Sequence, residues 1–309
     1  MQTIHLALSF SQDYINPFYV FLTSAFKNTK NKLVFHTIIA NVTAQQKEQL
    51  TSFVQQHKCE ILFHDIDKSY DDLFIIPANM SHFVKEGYYR LFFPALISPE
   101  IKKLIYIDAD TLVLQDLAPL YNFDTNSKPI AAAPDKGMFP RPELGTVAED
   151  SYFNSGVMVI DTEEWRKQDV FKKSLTFLQT YPEKIIWADQ DVLNAVLLGN
   201  WQKLNYEFNF MRECVPTFLS STARVKLISS IFVLHFNGPK PWEVKCDNLL
   251  RSVYTDYFKL SPVSKEPYYG KNLGKTDLSL LAKNNLKSFY FSHPALAPLW
   301  NSAKRLLGR

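Results

Sequence analysis

No stretch of this 309-residue chain stays apolar over the roughly 18 residues that a bilayer-spanning helix requires, so no membrane-spanning helix is expected. Cysteine is scarce. Cys59, Cys214 and Cys246 are odd in number and none stands in a C-x-x-C pair, which fits a reduced cytosolic protein and speaks against a cysteine-based metal site. An excess of one charge is also missing: the formal net charge is +3, too small to draw a nucleic acid partner. The first residues lack the basic flank and small-residue cleavage site of a signal peptide, and "IHLALSF" after "MQT" reads as a first strand. There is no internal repeat and no low-complexity linker. What remains is ordinary globular composition, 46% hydrophobic and 21% charged, enough for one large domain or a domain with an appendage.

The first 135 residues alternate short apolar runs with helical patterns. Segments 4–10, 32–40, 59–66, 103–108 and 128–135 read as strands. Residues 43–57 put Leu50, Phe53, Val54 and His57 on one helical face, with Thr43 and Gln46 as a capping box. Such alternation implies crossovers and a mostly parallel α/β sheet. Further on, 153–161 reads as a strand, and Asp161 with Glu164 opens a helix carrying Phe171, Leu175 and Leu178 on one face. Another helix starts near Asp189, and 231–236 reads as a late strand. The pattern weakens afterwards, which places a main domain at 1–245 and a small, helical C-terminal extension at 246–309.

One strand end carries "IDADTLV", with Asp108 and Asp110 separated only by Ala109. In an extended segment residues i and i+2 share a face, and two such carboxylates call for a shared proton or a cation. In open α/β sheets ligands sit outside such strand ends. Late in the chain, "VLHFNGPKPWEV" offers His235, Gly238 and Lys240, the lysine held before Pro241 and Trp242. Two carboxylates and an imidazole suit Mn²⁺ or Mg²⁺, with coordination places left for phosphate oxygens that Lys240 would also face. A haloacid-dehalogenase-like phosphatase is the rival reading, since "IDADTLV" also fits hhhDxDxT. That pattern belongs on a first strand; here three strands precede it and no G-D-x-x-x-D segment follows.

Taken in order, "IDAD", "YFNSGVMVID", "ADQDVLN" and "HFNGPKPW" resemble the family 8 glycosyltransferases over roughly residues 4–245. That family includes glycogenin and the bacterial galactosyl- and glucosyltransferases of lipooligosaccharide. The resemblance implies a GT-A fold, Mn²⁺ bound through the DxD motif, and retention of anomeric configuration. Its donor would be UDP-galactose or UDP-glucose and its acceptor a glycan or glycolipid, as in lipopolysaccharide biosynthesis. A non-catalytic nucleotide-sugar binder is the other alternative, but no metal or donor position of the motifs is lost.

The same resemblance assigns roles by position. Ser9, Ser11, Asp13 and Tyr14 of the first loop would contact the nucleotide, with Tyr14 stacked on uracil. Asp108 would lie near the ribose and Ala109 would offer backbone contacts. Arg90 would cover the nucleotide and donor sugar, its plainer alternative being a surface helix arginine. Asp135 and Asn154 would point toward the sugars, with Gly156 letting the backbone approach a ligand. Gly238 and Lys240 would line the diphosphate, while Asp108, Asp110 and His235 hold the metal. Asp189 and Gln190 would orient the donor hexose as catalytic residues. An amide is a poor nucleophile, which favours front-face departure and attack with Gln190 stabilising the cation. Asp191 reads as helix-capping or structural.

The family pattern is H-x-x-G-x-x-K-P-W, whereas only Pro239 separates Gly238 from Lys240, so the loop tightens or Lys240 approaches from another angle. Segment 135–152 is long enough to act as a lid. The tail "HPALAPLWNSAKRLLGR" places Leu299, Ala303, Leu306 and Leu307 on one helical face, beside Trp300, Lys304, Arg305 and Arg309. Such a helix suits an anionic membrane surface, implying a cytoplasmic protein peripheral on the inner face of the plasma membrane; folding back onto the domain is the alternative.

Overall fold

The computed structural model describes residues 2–67, 70, 85–216, 221–264, 273–293, 296, 298–299 and 302. The strands are β1 (Thr3–Ser11), β2 (Lys32–Ala40), β3 (Glu60–Phe63), β4 (Lys103–Ile107), β5 (Thr111–Val113), β6 (Ile130–Pro134), β7 (Phe153–Asp161), β8 (Gln202–Lys203) and β9 (Val233–His235). Seven form a sheet in the order β3-β2-β1-β4-β7-β6-β8, and β5 pairs with β9 in a separate ribbon. Strands β3, β2, β1 and β4 are mutually parallel, whereas β7 runs antiparallel to both β4 and β6. This is the mostly parallel α/β sheet that the alternation predicts.

Period-two alternation divides the core between the two faces of the sheet. Leu6, Leu8, Phe10, Ile105 and Ile107 pack with Phe18, Phe21, Leu22 and Ala25 of the helix Ile15–Asn28. Ala7, Leu104, Tyr106 and Met158 face Leu178 and Val192 from the helices Val170–Thr180 and Ala188–Val196. A third cluster joins Val20, Leu112, Leu234 and Phe236 to Leu250 and Tyr254, so the helix Arg251–Leu260 shares a core with the ribbon.

The capping box forms as expected, with Gln46 N–H donating to Thr43 Oγ1 at 3.2 Å and Thr43 N–H donating to Gln46 Oε1 at 2.9 Å. Asp161 caps its helix, accepting from Glu163 and Glu164 N–H at 3.1 and 2.9 Å. That helix is two rather than one: Thr162–Lys167 and Val170–Thr180 are separated at Asp169, whose left-handed φ of 53° breaks the hydrogen-bond ladder. The run 231–236 belongs to the ribbon and not to the main sheet. The helix Ile15–Asn28 starts inside "SQDYINP", a stretch whose sequence reads as a loop. Near the C-terminus, Asn284 of the helix Lys275–Ser292 donates to the carbonyls of Val244 and Cys246 at 3.3 and 3.0 Å. The predicted tail helix, with Trp300, Ala303, Leu306 and Leu307, lies largely outside the described residues. No helix among the described residues is long and apolar enough to cross a membrane.

Strands β1 and β2 and the residue just after β3 also align a row of imidazoles: His5 Nδ1 lies 3.0 Å from His36 Nε2, and His36 Nδ1 lies 3.1 Å from His64 Nε2. Burial, then the neighbouring imidazoles, lower the His36 pKa to about 3. A folded-state pKa below the unfolded one means that the folded chain binds fewer protons. This stability is therefore complete above the unfolded value of about 6.5 and is lost as pH falls below it. Urea denaturation should show wild type losing about 2 kcal/mol more than His36→Gln between about pH 6.5 and about pH 5. Parallel profiles for the two proteins would contradict a buried neutral His36.

Candidate functional site

Strand β4 ends at Ile107, and Asp108–Ala109–Asp110 form the turn into β5. The aspartates are therefore brought together by a turn, not by the alternation of a strand. Asp108 N–H donates to the carbonyl of Gly156 at 2.8 Å, tying this turn to the start of β7. The ribbon supplies the third group. Thr111 pairs with His235, and Phe236 N–H donates to Asp110 O at 3.1 Å. His235 Nε2 then lies 3.4 Å from Asp110 Oδ1 and 3.9 Å from Asp108 Oδ2. One ligand atom from each residue lies within 4.8 Å of the others. Asp110 Oδ1 is buried and accepts no hydrogen bond, a state that a cation would relieve. Two carboxylates and an imidazole fit Mn²⁺ or Mg²⁺.

Positive charge enters from two sides. Lys240 Nζ pairs with Asp110 Oδ2 and donates to Phe236 O at 3.2 Å. Burial would raise the Asp110 pKa, but the Lys240 ammonium holds it well below the carboxylate range, and Lys240 is correspondingly raised. Gly238 takes a left-handed φ of 79°, turning the shortened loop so that Lys240 reaches the carboxylate.

Arg90 lies in the 3₁₀ turn Lys85–Leu91 and is 6% exposed, which rules out the surface-helix alternative. Its guanidinium reaches Asp108 Oδ1 at 3.1 Å, Asp189 Oδ2 at 2.9 Å and Ser155 O at 2.8 Å, and lies 4.5 Å over the Tyr106 ring. Tyr106 OH donates to Asp108 Oδ1 at 2.9 Å and shares a 3.0 Å hydrogen bond with Ser9 Oγ. Asp189, in the first turn of the helix Ala188–Val196, is pushed up to about 6 by burial, which Arg90 offsets only in part.

Gln190 is held at both ends, accepting from Ser155 N–H at 3.1 Å and donating to Asp135 Oδ2 at 3.1 Å. Asn154 donates to the same oxygen at 3.0 Å. Arg90, Asp108, Asp110, Asp135, Asn154, Asp189, Gln190, His235 and Lys240 thus form one connected cluster. Around it, Ala109 is buried and Tyr14 meets Trp242 edge-on at 5.5 Å, burial pushing its hydroxyl to about 12. Ser11 ends β1, followed by an exposed Asp13. Asp191 is structural: it accepts from Arg141 at 2.8 and 3.0 Å, Tyr152 OH at 2.7 Å, and the N–H groups of Ile186 and Trp187, each at 2.6 Å. Arg141 thereby anchors the 135–152 segment, while Phe139 and Val147 stay 86% and 75% exposed.

Gly156 has a steric role inside the cluster itself. A Cβ there would stand 2.3 Å from His235 Cε1 and 2.6 Å from Asp108 Oδ2, so its missing side chain makes room for two members of the cluster. Four contributors escaped the sequence reading. Ser155 lies within the "FNSG" motif and Tyr106 precedes Asp108 by two, so both had a positional signal. Gly87, which lets its turn approach Asp189, and Asn209, which contacts His235, had none.

The family model described as "Glycosyl transferase family 8" matches residues 5–246. General stress protein A of Bacillus subtilis (strain 168) is 31% identical over 239 residues, covering 74% of this chain and 82% of that protein. A lipopolysaccharide 1,2-glucosyltransferase of Escherichia coli (strain K12) is 25% identical over 250 residues, covering 78% of this chain and 73% of that protein. Among solved structures, the galactosyltransferase LgtC in complex with donor and acceptor sugar analogs superposes with a TM-score of 0.70 at 23% identity, covering 90% of this chain and all of that one. That likeness identifies the GT-A fold.

Gly156→Ala should destabilise the protein by about 1–3 kcal/mol, the usual cost of an overpacked interior, and displace His235 from the aspartates. Mn²⁺ titration followed by electron paramagnetic resonance should show affinity reduced at least tenfold. Unchanged Mn²⁺ affinity would mean that the crowding at Gly156 does not set the cluster.

Proposed function

The chain belongs to the family 8 glycosyltransferases, and from that premise we propose a retaining enzyme that moves a hexose from UDP-galactose or UDP-glucose to a glycan or glycolipid acceptor, with Mn²⁺ as cofactor. The observation that most supports this reading is the meeting of Asp108, Asp110 and His235 around the unpartnered Asp110 Oδ1, one arginine away from Asp189. In this reading those three residues hold the ion, which when bound supplies Lewis-acid neutralisation of the donor's diphosphate; Mg²⁺ is the substitute.

The remaining roles fall to the chain's own groups. Tyr14, braced by Trp242, stacks on uracil, and Ser9, Ser11, Asp13 and Ala109 complete the nucleotide contacts. Lys240 and the Gly238 turn face the diphosphate at the edge of the Asp110 carboxylate. Arg90, kept charged by Asp108 and Asp189 despite its burial, spans the nucleotide and the sugar. Asp135, Asn154 and Asp189 take up sugar hydroxyls. Gln190 cannot pivot freely because both ends of its amide are bonded, so its oxygen offers a fixed dipole to the oxocarbenium ion. Departure and attack on the same face then retain configuration. The catalytic domain is assigned to 1–245 and the extension to 246–309. The C-terminal tail, 293–309, is read as a peripheral contact with the cytoplasmic face of an anionic membrane, which co-sedimentation with anionic vesicles at low salt would test.

A panel of UDP-sugars with Mn²⁺, read by UDP release, should show turnover of one hexose donor. Asp108→Asn or Asp110→Asn should lose that turnover by several orders of magnitude while remaining folded. Gln190→Ala should lose roughly ten- to thousand-fold, as when one preorganised group is removed. Full activity in excess chelator would contradict the metal assignment. A covalent sugar found on Gln190 or Asp189 by mass spectrometry would contradict front-face transfer.

A further inference from the structure

His235 approaches the aspartates through Nε2, while its other ring nitrogen faces the interior. There Nδ1 lies 2.9 Å from Oδ1 of Asn209, a residue with no exposed surface. The backbone beside Asn209 is tied to the same strand: Phe210 N–H donates to Val233 O at 2.8 Å and His235 N–H to Phe210 O at 3.0 Å. Asn209 therefore moves with β9, and its side chain is aimed at the imidazole.

The direction of each hydrogen bond follows from two fixed ends. Asn154 Oδ1 accepts from the backbone N–H of Gly156 at 3.0 Å, which identifies it as oxygen. Asn154 Nδ2 lies 3.0 Å from Asp135 Oδ2, a carboxylate oxygen that also accepts from Gln190. The orientation of Asn154 is thus set twice. The atom of Asn209 that meets Asn154 Oδ1 at 2.9 Å must then be its NH₂ group. The other end of the Asn209 amide is the oxygen, which can only accept, so His235 Nδ1 carries the proton and Nε2 carries a lone pair. A lone pair on Nε2 is what a metal ligand requires.

We infer that Asn209 is a positioning residue that holds His235 in the Nδ1–H tautomer and links it, through Asn154 and Asp135, to Gln190. The inference rests on the proposed metal role of His235. The relay has one polarity throughout: His235 to Asn209, Asn209 to Asn154, and Asn154 and Gln190 both to Asp135. Its two functions separate by chemistry. Acceptance from Nδ1–H needs only an oxygen at position 209, whereas donation to Asn154 needs the amide NH₂.

The decisive experiment is ¹⁵N NMR of His235 in the metal-free protein at about pH 8, where an ordinary imidazole is neutral. Wild type and Asn209→Asp should show the Nδ1–H tautomer, and Asn209→Leu should shift to Nε2–H. With Mn²⁺ alone as the probe, Asn209→Leu should bind about 10–100-fold more weakly, the usual cost of removing a group that orients a metal ligand. Asn209→Asp should bind at least as tightly as wild type, yet lose UDP-sugar turnover because Asn154 has lost its donor. An Nε2–H tautomer in wild type would overturn the inference whether or not the variants fold. So would a folded Asn209→Leu with unchanged Mn²⁺ affinity. A wild type that turns over no UDP-sugar while the tautomer and Mn²⁺ results hold would defeat the proposed activity and leave the positioning role standing.

Discussion

Uncompensated negative charge in a buried place governs this protein. Among the described residues of the cluster, two cations, Arg90 and Lys240, pair with three of its four carboxylates, Asp108, Asp110 and Asp189, while Asp135 accepts from the amides of Asn154 and Gln190. Burying a carboxylate is costly unless it is paired and hydrogen-bonded. Each of the three solves the problem differently. Asp108 accepts from Arg90 and Tyr106, Asp110 takes Lys240 on one oxygen only, and Asp189 is pushed to about 6. The oxygen left over, Asp110 Oδ1, faces the imidazole of His235. A divalent cation at that point would supply the missing charge, and the proposed donor's diphosphate would share Arg90 and Lys240 with the carboxylates.

The topology explains why these groups meet. β1 and β4 run parallel, so Ser9 and Asp108 fall at the same sheet edge. Because β7 is antiparallel to β4, its beginning lies beside the end of β4, and Asn154–Gly156 arrive next to Asp108. The ribbon then folds His235 back over the turn. Parallel strands alone would have sent the "FNSG" residues to the opposite edge. Gly156 has the tightest steric role among the described glycines, since any side chain there would occupy the space of His235 and Asp108.

Much of this was legible in the sequence, for identifiable reasons. Strands β1, β2 and β7 announce themselves by continuous apolar runs, and the Thr43 cap by its partner three residues on. The Asp108–Asp110 pair with His235 was legible because few arrangements tolerate adjacent carboxylates. The break at Asp169 was not, since a left-handed residue between two amphipathic segments leaves their apolar spacing intact. Asn209 was invisible for a different reason: a hydrogen bond to an imidazole 26 residues away imposes no local pattern. Arg90 carried a basic signal, but its burial depends on Asp108 and Asp189 arriving from distant elements.

The most direct test of this account is calorimetric titration of UDP into the protein with and without Mn²⁺. Cooperation between the ion and the diphosphate predicts that Mn²⁺ strengthens UDP binding in wild type at least tenfold, and that Asp110→Asn abolishes the gain while the fold persists. Equal UDP affinity in Mn²⁺ and in excess chelator, or an undiminished gain in Asp110→Asn, would contradict it.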